Sequence, residues 1–219
     1  MRQLLKLVLL ATLGCSTAPG PLPNLSEVAG DPPFFRALYR LECCGLRGLQ
    51  LVVAHGARGT SLEVVGGPGG VGFAAWVEGD EVVQRVEGRC LAATRTGGLP
   101  LPDGSALPIA EKAFASLLSG RLPAGGQAVA AHRWSGVVGG GRLELELAGG
   151  PTRWVRGWLW PSGSAEPVRL AARSHHGRVP GEIQVLGPFG EVRLSLVEFQ
   201  PVLGVPEPPW LGLPRCAVP

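Results

Sequence analysis

The sequence is poor in the side chains that enzymes use most. Its 219 residues include three aspartates, four histidines and a single tyrosine. Asp31, Asp80 and Asp103 each stand beside a glycine or a proline. That is the setting of a turn residue that hydrogen-bonds its own backbone, not of a general acid. There is no Gly-x-Ser-x-Gly elbow and no glycine loop of the phosphate-binding kind. Cys-x-x-Cys spacing is also absent, so a zinc cage has no support and no metal or other cofactor is expected. His175-His176 is the one temptation, but the further ligands it would need, His55 and His132, lie far off in sequence. A secreted hydrolase using His175 or His176 is therefore the weakest of three readings, and no catalysis is expected.

Long apolar runs are equally scarce. The one that stands out, residues 7–13, is too short to span a bilayer, which takes ~20 apolar residues. Charge of one sign is lacking too: the net +3 includes Arg2 and Lys6, and without them the chain sits at +1. Nothing there favours a nucleic-acid partner.

What is present begins with export. Arg2 and Lys6, the apolar run and then Gly14-Cys15 make a secretory signal peptide over residues 1–14. Two cuts compete. An ordinary peptidase would cut near Ala18. Alternatively Thr12-Leu13-Gly14-Cys15 serves as a lipobox, with Thr12 and Leu13 departing from its usual pattern, and Cys15 becomes the lipidated first residue. Residues 15–33 then read as a tether, small and proline-bearing at its start. The start resembles that of bacterial lipoproteins, which implies acylation of Cys15 and a membrane anchor. Ser16 is not the aspartate that retains such proteins at the inner membrane, so the resemblance implies the outer membrane, facing the periplasm.

The other cysteines, Cys43, Cys44, Cys90 and Cys216, suit an oxidising compartment. Adjacent strand residues face opposite ways, so one of Cys43 or Cys44 is expected to pair with Cys90, and the other with Cys216.

Thirty-four glycines and 21 prolines punctuate short apolar runs, the pattern of antiparallel sheet or barrel. Residues 34–41 fit a helical turn or a strand equally well. Alternation dominates from Leu46 onward: Leu49, Leu51 and Val53 share a face, and later Leu143, Leu145 and Leu147. The one convincing helix covers residues 108–119, with Ala113, Phe114, Leu117 and Leu118 as its stripe and Gly120 at its end. Trp154, Trp158 and Trp160 are expected to share one face of a strand, packed in the core or lining an apolar pocket. Residues 202–219 form a proline-rich tail that wraps the domain or trails.

The order of strands, one helix, then more strands resembles the LolA and LolB group of periplasmic lipoprotein carriers and their lipid-anchored outer-membrane relatives. The carrying segments are Gly45-Leu46-Arg47-Gly48-Leu49, Leu117-Leu118-Ser119-Gly120-Arg121-Leu122-Pro123, Pro180-Gly181-Glu182-Ile183-Gln184-Val185 and the strand over residues 192–199. The resemblance covers most of a domain set at residues 34–201. It implies a mainly β fold, an unclosed antiparallel half-barrel with a short helical lid over an apolar cavity. The cavity would take lipid or lipoprotein acyl chains, and Phe73, Phe114, Leu117, Trp154, Trp158 and Trp160 are the candidate lining. The exposed apolar loop tip of the LolB type has no counterpart at residues 66–70, and Leu99 and Leu101 do not replace it. A structural lipoprotein that binds another envelope protein is the alternative.

Overall fold

The computed structural model describes residues 34–43, 45–66, 71–86, 89–93, 99–100, 106–148 and 153–216. The expected signal peptide, Cys15, the tether and Cys44 lie outside the described residues.

Residues 34–41 resolve into strand. β1 (Phe35–Cys43) buries Phe35, Ala37, Tyr39, Leu41 and Cys43, exposes Arg36, Arg40 and Glu42 and leaves Leu38 half-buried, a period of two that no helix could keep. An antiparallel meander follows: β2 (Leu46–His55), β3 (Thr60–Val65), β4 (Val71–Glu78), β5 (Glu81–Val86) and β6 (Cys90–Ala93). Two short strands, β7 (Leu99–Pro100) and β8 (Ala106–Leu107), pair with each other alone. Then come helix α1 (Glu111–Leu118) and a second meander: β9 (Gly126–Ala130), β10 (Arg133–Val138), β11 (Gly141–Ala148), β12 (Arg153–Trp160), β13 (Val168–Arg173), β14 (Glu182–Gly187) and β15 (Gly190–Pro201). The two meanders join where β1 pairs with β15. They form one antiparallel sheet of 13 strands, in the order β6-β5-β4-β3-β2-β1-β15-β14-β13-β12-β11-β10-β9, with its ends unpaired to each other.

The expected half-barrel is therefore present. Its inner face carries one apolar cluster drawn from both meanders, and α1 contributes Ala113, Phe114, Ala115, Leu117 and Leu118 to it. Each large side chain buried there contributes about 1.5–3 kcal/mol. Close approach is arranged residue by residue: a methyl at Gly157 would meet Leu145 at 2.8 Å and Leu170 at 3.1 Å.

The helix is shorter than its sequence suggests. Ala110 is extended (φ −55°, ψ 138°), so α1 starts at Glu111 and Pro108 stays outside it. At the other end Gly120 adopts φ 68°. Its N–H reaches the Leu117 carbonyl (3.2 Å) and the Arg121 N–H reaches the Ser116 carbonyl (2.8 Å). This is a Schellman stop, and it needs a residue that tolerates the left-handed region.

The tail wraps the domain. Cys90 is bonded to Cys216, 126 residues away. The expected link from Cys43 or Cys44 to Cys90 is therefore overturned: Cys43 points into the core cluster from β1, while Cys90 lies on the outermost strand of the flank. Beside the disulfide, Leu91 and Arg215 form a parallel bridge, with bonds Leu91 N–H to Pro214 O (2.8 Å) and Cys216 N–H to Leu91 O (2.8 Å). A short 3-10 turn, Pro209–Gly212, seats Trp210 against Ala74, Trp76, Val83 and Leu91 on the outer face. The Trp210 indole N–H donates to Glu63 (2.9 Å).

Candidate functional site

The site with the most chemistry is the space between the inner face of the sheet and α1. Phe73, Phe114, Leu117 and Trp154, all expected at a cavity wall, are buried together there. The Trp154 indole N–H donates to the Leu117 carbonyl at 3.1 Å and so fastens the last turn of α1 to β12.

Trp158 and Trp160 do not join them. Leu147 pairs with Trp154, but Glu146 pairs with Arg156, leaving Val155 as an extra residue in β12. Such a bulge advances the strand by one residue and turns every later side chain to the opposite face. Gly157 and Leu159 then point inward, opposite Leu145 and Leu143. Trp158 lies across from Glu144 and Arg169, and Trp160 across from Arg142 on the outer face. The Arg142 guanidinium sits 4.5 Å from the centre of the Trp160 ring. The shared face expected of the three tryptophans is thus corrected to one inside and two outside.

Two polar groups inside the site escaped the sequence reading. The first is Glu111, 2% exposed at the start of α1. Its carboxylate accepts from Gln84 Nε2 at 2.6 Å. Burial raises its pKa, offset in part by its own backbone N–H and by Gln84. Next to it Lys112 pairs with Asp80, so two polar contacts pin this end of the helix to β5 and the β4–β5 turn. A pocket of about 240 Å³ opens here, between Val82, Ala113, Val137 and Val138, where the two flanks of the half-barrel approach each other.

The second is His55, 7% exposed near the other end of α1. Its Nδ1 shares a hydrogen bond with Thr60 Oγ1 (2.8 Å), and its Nε2 is buried with no partner. Burial, with the Arg121 charge added, lowers its pKa to about 4, so the ring is neutral at pH 7. Rings extend outward from it: Phe35 lies 5.6 Å from His55 and 5.4 Å from Phe199, which stacks on His176 at 6.3 Å. Alternation along β2 from Leu49 through Leu51 and Val53 already placed position 55 on the inner face, a signal the sequence did contain.

The histidine pair that tempted a catalytic reading is engaged otherwise. His175 Nε2–H donates to the Trp154 carbonyl (3.1 Å), and burial lowers its pKa. Among the described residues no three potential metal ligands gather, and no helix is long and apolar enough to cross a membrane.

No protein-family model and no curated protein matches the sequence. Among solved structures the chain is similar to the LolA superfamily protein NE2245 from Nitrosomonas europaea, with a TM-score of 0.53 and 11% identity over 79% of this chain and 87% of that one. At that identity the likeness is one of fold, the superfamily's sheet and helix arrangement shared by two very different sequences.

Proposed function

We propose that this protein is a lipid-anchored, non-catalytic carrier that takes lipid or lipoprotein acyl chains between its sheet and α1. One observation carries the reading: a half-barrel with an apolar inner face has its concavity covered by a single eight-residue helix held by a few polar contacts. The face needs an apolar cover, and a helix fastened by side chains rather than by strand pairing is a cover that can move. An acyl chain gains ~0.8 kcal/mol for each methylene it buries, so a chain that displaces α1 can replace the apolar burial the helix provided. The fold likeness to a LolA superfamily protein supports the same use. Acylated Cys15 and the tether would hold the carrier at the outer membrane, on its periplasmic side.

The test is native mass spectrometry of protein purified without harsh detergent. Copurified lipid is the expected result, and protein that is consistently empty in several preparations overturns the reading. The anchor is tested separately: labelled palmitate should enter the wild-type chain and not Cys15→Ser.

A second reading, a structural lipoprotein that binds an envelope protein, is favoured by how fully α1 fills the concavity: Phe114, Leu117 and Leu118 are all buried against the sheet. A reproducible protein partner in a pull-down, with no lipid bound, would select it.

A further inference from the structure

The two ends of α1 differ in charge, and the difference has a consequence for any amphiphile bound beneath it. At the N-terminal end stand Glu111 and the Asp80–Lys112 pair. At the C-terminal end stand His55, Arg121 and Arg178. Gly120 packs so tightly on Arg178 that a methyl there would lie 2.4 Å from the Arg178 Cβ. The next residue, Arg121, feels the Arg178 charge. Arg121 makes no ion pair among the described residues.

His55 adds an unpartnered polar atom at this end. The ring is nine-tenths buried and held by Thr60, and either tautomer leaves Nε2 without a partner. A polar atom orphaned in a dry interior pays its desolvation with no hydrogen bond in return. When the Thr60 hydroxyl donates to Nδ1, Nε2 carries the proton and becomes a donor with nothing to bind. A neutral N–H donor beside a permanent cation is what an anionic oxygen needs at the edge of an apolar chamber.

We propose that the end of the half-barrel at the α1 C-terminus holds the anionic head, a carboxylate or phosphate, of an acyl-chain amphiphile. His55 Nε2 and the Arg121 guanidinium are its partners, and its chain runs along the inner face that Phe114, Leu117 and Leu118 now cover. The proposal rests on the carrier reading and adds the chemistry of the head and the direction of the chain. At the other end Lys112 already neutralises Asp80, and the buried Glu111 carboxylate is the charge that disfavours an anion, which sets the orientation.

Binding to the purified full chain is followed through tryptophan fluorescence, with Trp154 beside the displaced helix. The probes are palmitate, methyl palmitate and lysophosphatidic acid, each below its aggregation concentration. Palmitate, lysophosphatidic acid or both should bind about tenfold tighter than the neutral ester, the size of one charge-assisted contact. Which of the two is preferred tells carboxylate from phosphate. Arg121→Gln, at an exposed position, should abolish that preference, and His55→Leu should weaken binding of the preferred anion. Equal binding of the anions and the ester overturns the inference and leaves the carrier reading standing, as does an anion preference that survives Arg121→Gln. Binding of none of the three probes overturns both.

Discussion

The two flanks of the sheet share an inner face and finish their outer faces in different ways. On the flank β4–β6 the outer face is apolar, with Ala74, Trp76, Val83 and Leu91, and the tail covers it through Trp210, the parallel bridge and the Cys90–Cys216 bond. On the flank β10–β13 the outer face is polar and open. There Arg142, Glu144, Glu146, Arg156 and Arg169 surround Trp158 and Trp160. Edges follow suit: β6 is sealed by the tail, whereas β9 is short, glycine-led and irregularly paired with β10. Both are recognised ways of blunting an edge strand against pairing with another chain. The difference shows that one flank owes its integrity to a distant segment of the chain and the other to its own hairpins.

The largest expected effect breaks that dependence. Cys90→Ala with Cys216→Ala should cost about 2–5 kcal/mol in denaturant unfolding, given the long loop the bond closes. Hydrogen exchange should quicken in β5 and β6 and stay unchanged in β10–β12. A uniform rise in exchange over both flanks would show that they unfold as one unit and that the contrast is only a surface feature.

Next in size is a pH effect lodged on the tail-covered half. His55 has a folded pKa near 4 against 6.5 when unfolded. Between those values the unfolded chain holds a proton that the folded chain does not, so stability falls as pH drops from 6.5 towards 4, by about 3 kcal/mol in total, and levels off below. Glu111 acts in the opposite sense. Its raised pKa means that stability is lost as pH rises from 4.5 through its folded value. Wild type minus His55→Leu, measured from pH 4 to 8, isolates the first slope. A flat difference would deny His55 its buried neutral state.

A smaller effect divides the tryptophans of the open flank. Trp154→Phe removes the donor to Leu117 and leaves a gap in the core, at about 1–3 kcal/mol. Trp158→Phe should fall within about 0.5 kcal/mol. The pair also shows what the sequence could and could not convey. Alternating strands, glycine turns and the apolar stripe of one helix are local patterns, and the half-barrel followed from them together with the family resemblance. Leu143, Leu145 and Leu147 do lie inside as their spacing requires. The Val155 bulge carries no such mark: nothing in Arg-Trp-Val-Arg-Gly-Trp says where one residue will be skipped, and one skip reverses a face. Disulfide partners were equally hidden, since Cys90 and Cys216 meet only because the tail crosses the outside of a folded sheet. Glu111 reads as a surface residue because burial of a polar group is decided by what packs over it. His55 falls on the inner face by alternation, yet nothing local says that its partners stop at Thr60.

The smallest prediction asks whether the open flank is held by its own outer face at all. Arg142 stacks on Trp160 at 4.5 Å and pairs with Glu144 at 3.5 Å, while Glu144 also accepts from Arg133 at 3.3 Å. A guanidinium over a half-buried indole on the outer face is worth about 0.5–1 kcal/mol, and a solvated ion pair about 0–1 kcal/mol. A double-mutant cycle with Arg142→Ala and Trp160→Leu should therefore give a coupling below about 1 kcal/mol. That value should persist at high salt, because the Glu144 pairing common to both backgrounds is what salt screens. A coupling well above that bound would mean that the arginine and tryptophan ladder braces β11 against β12 much as the tail braces β6. The two flanks would then differ in the material of the brace and not in whether one exists.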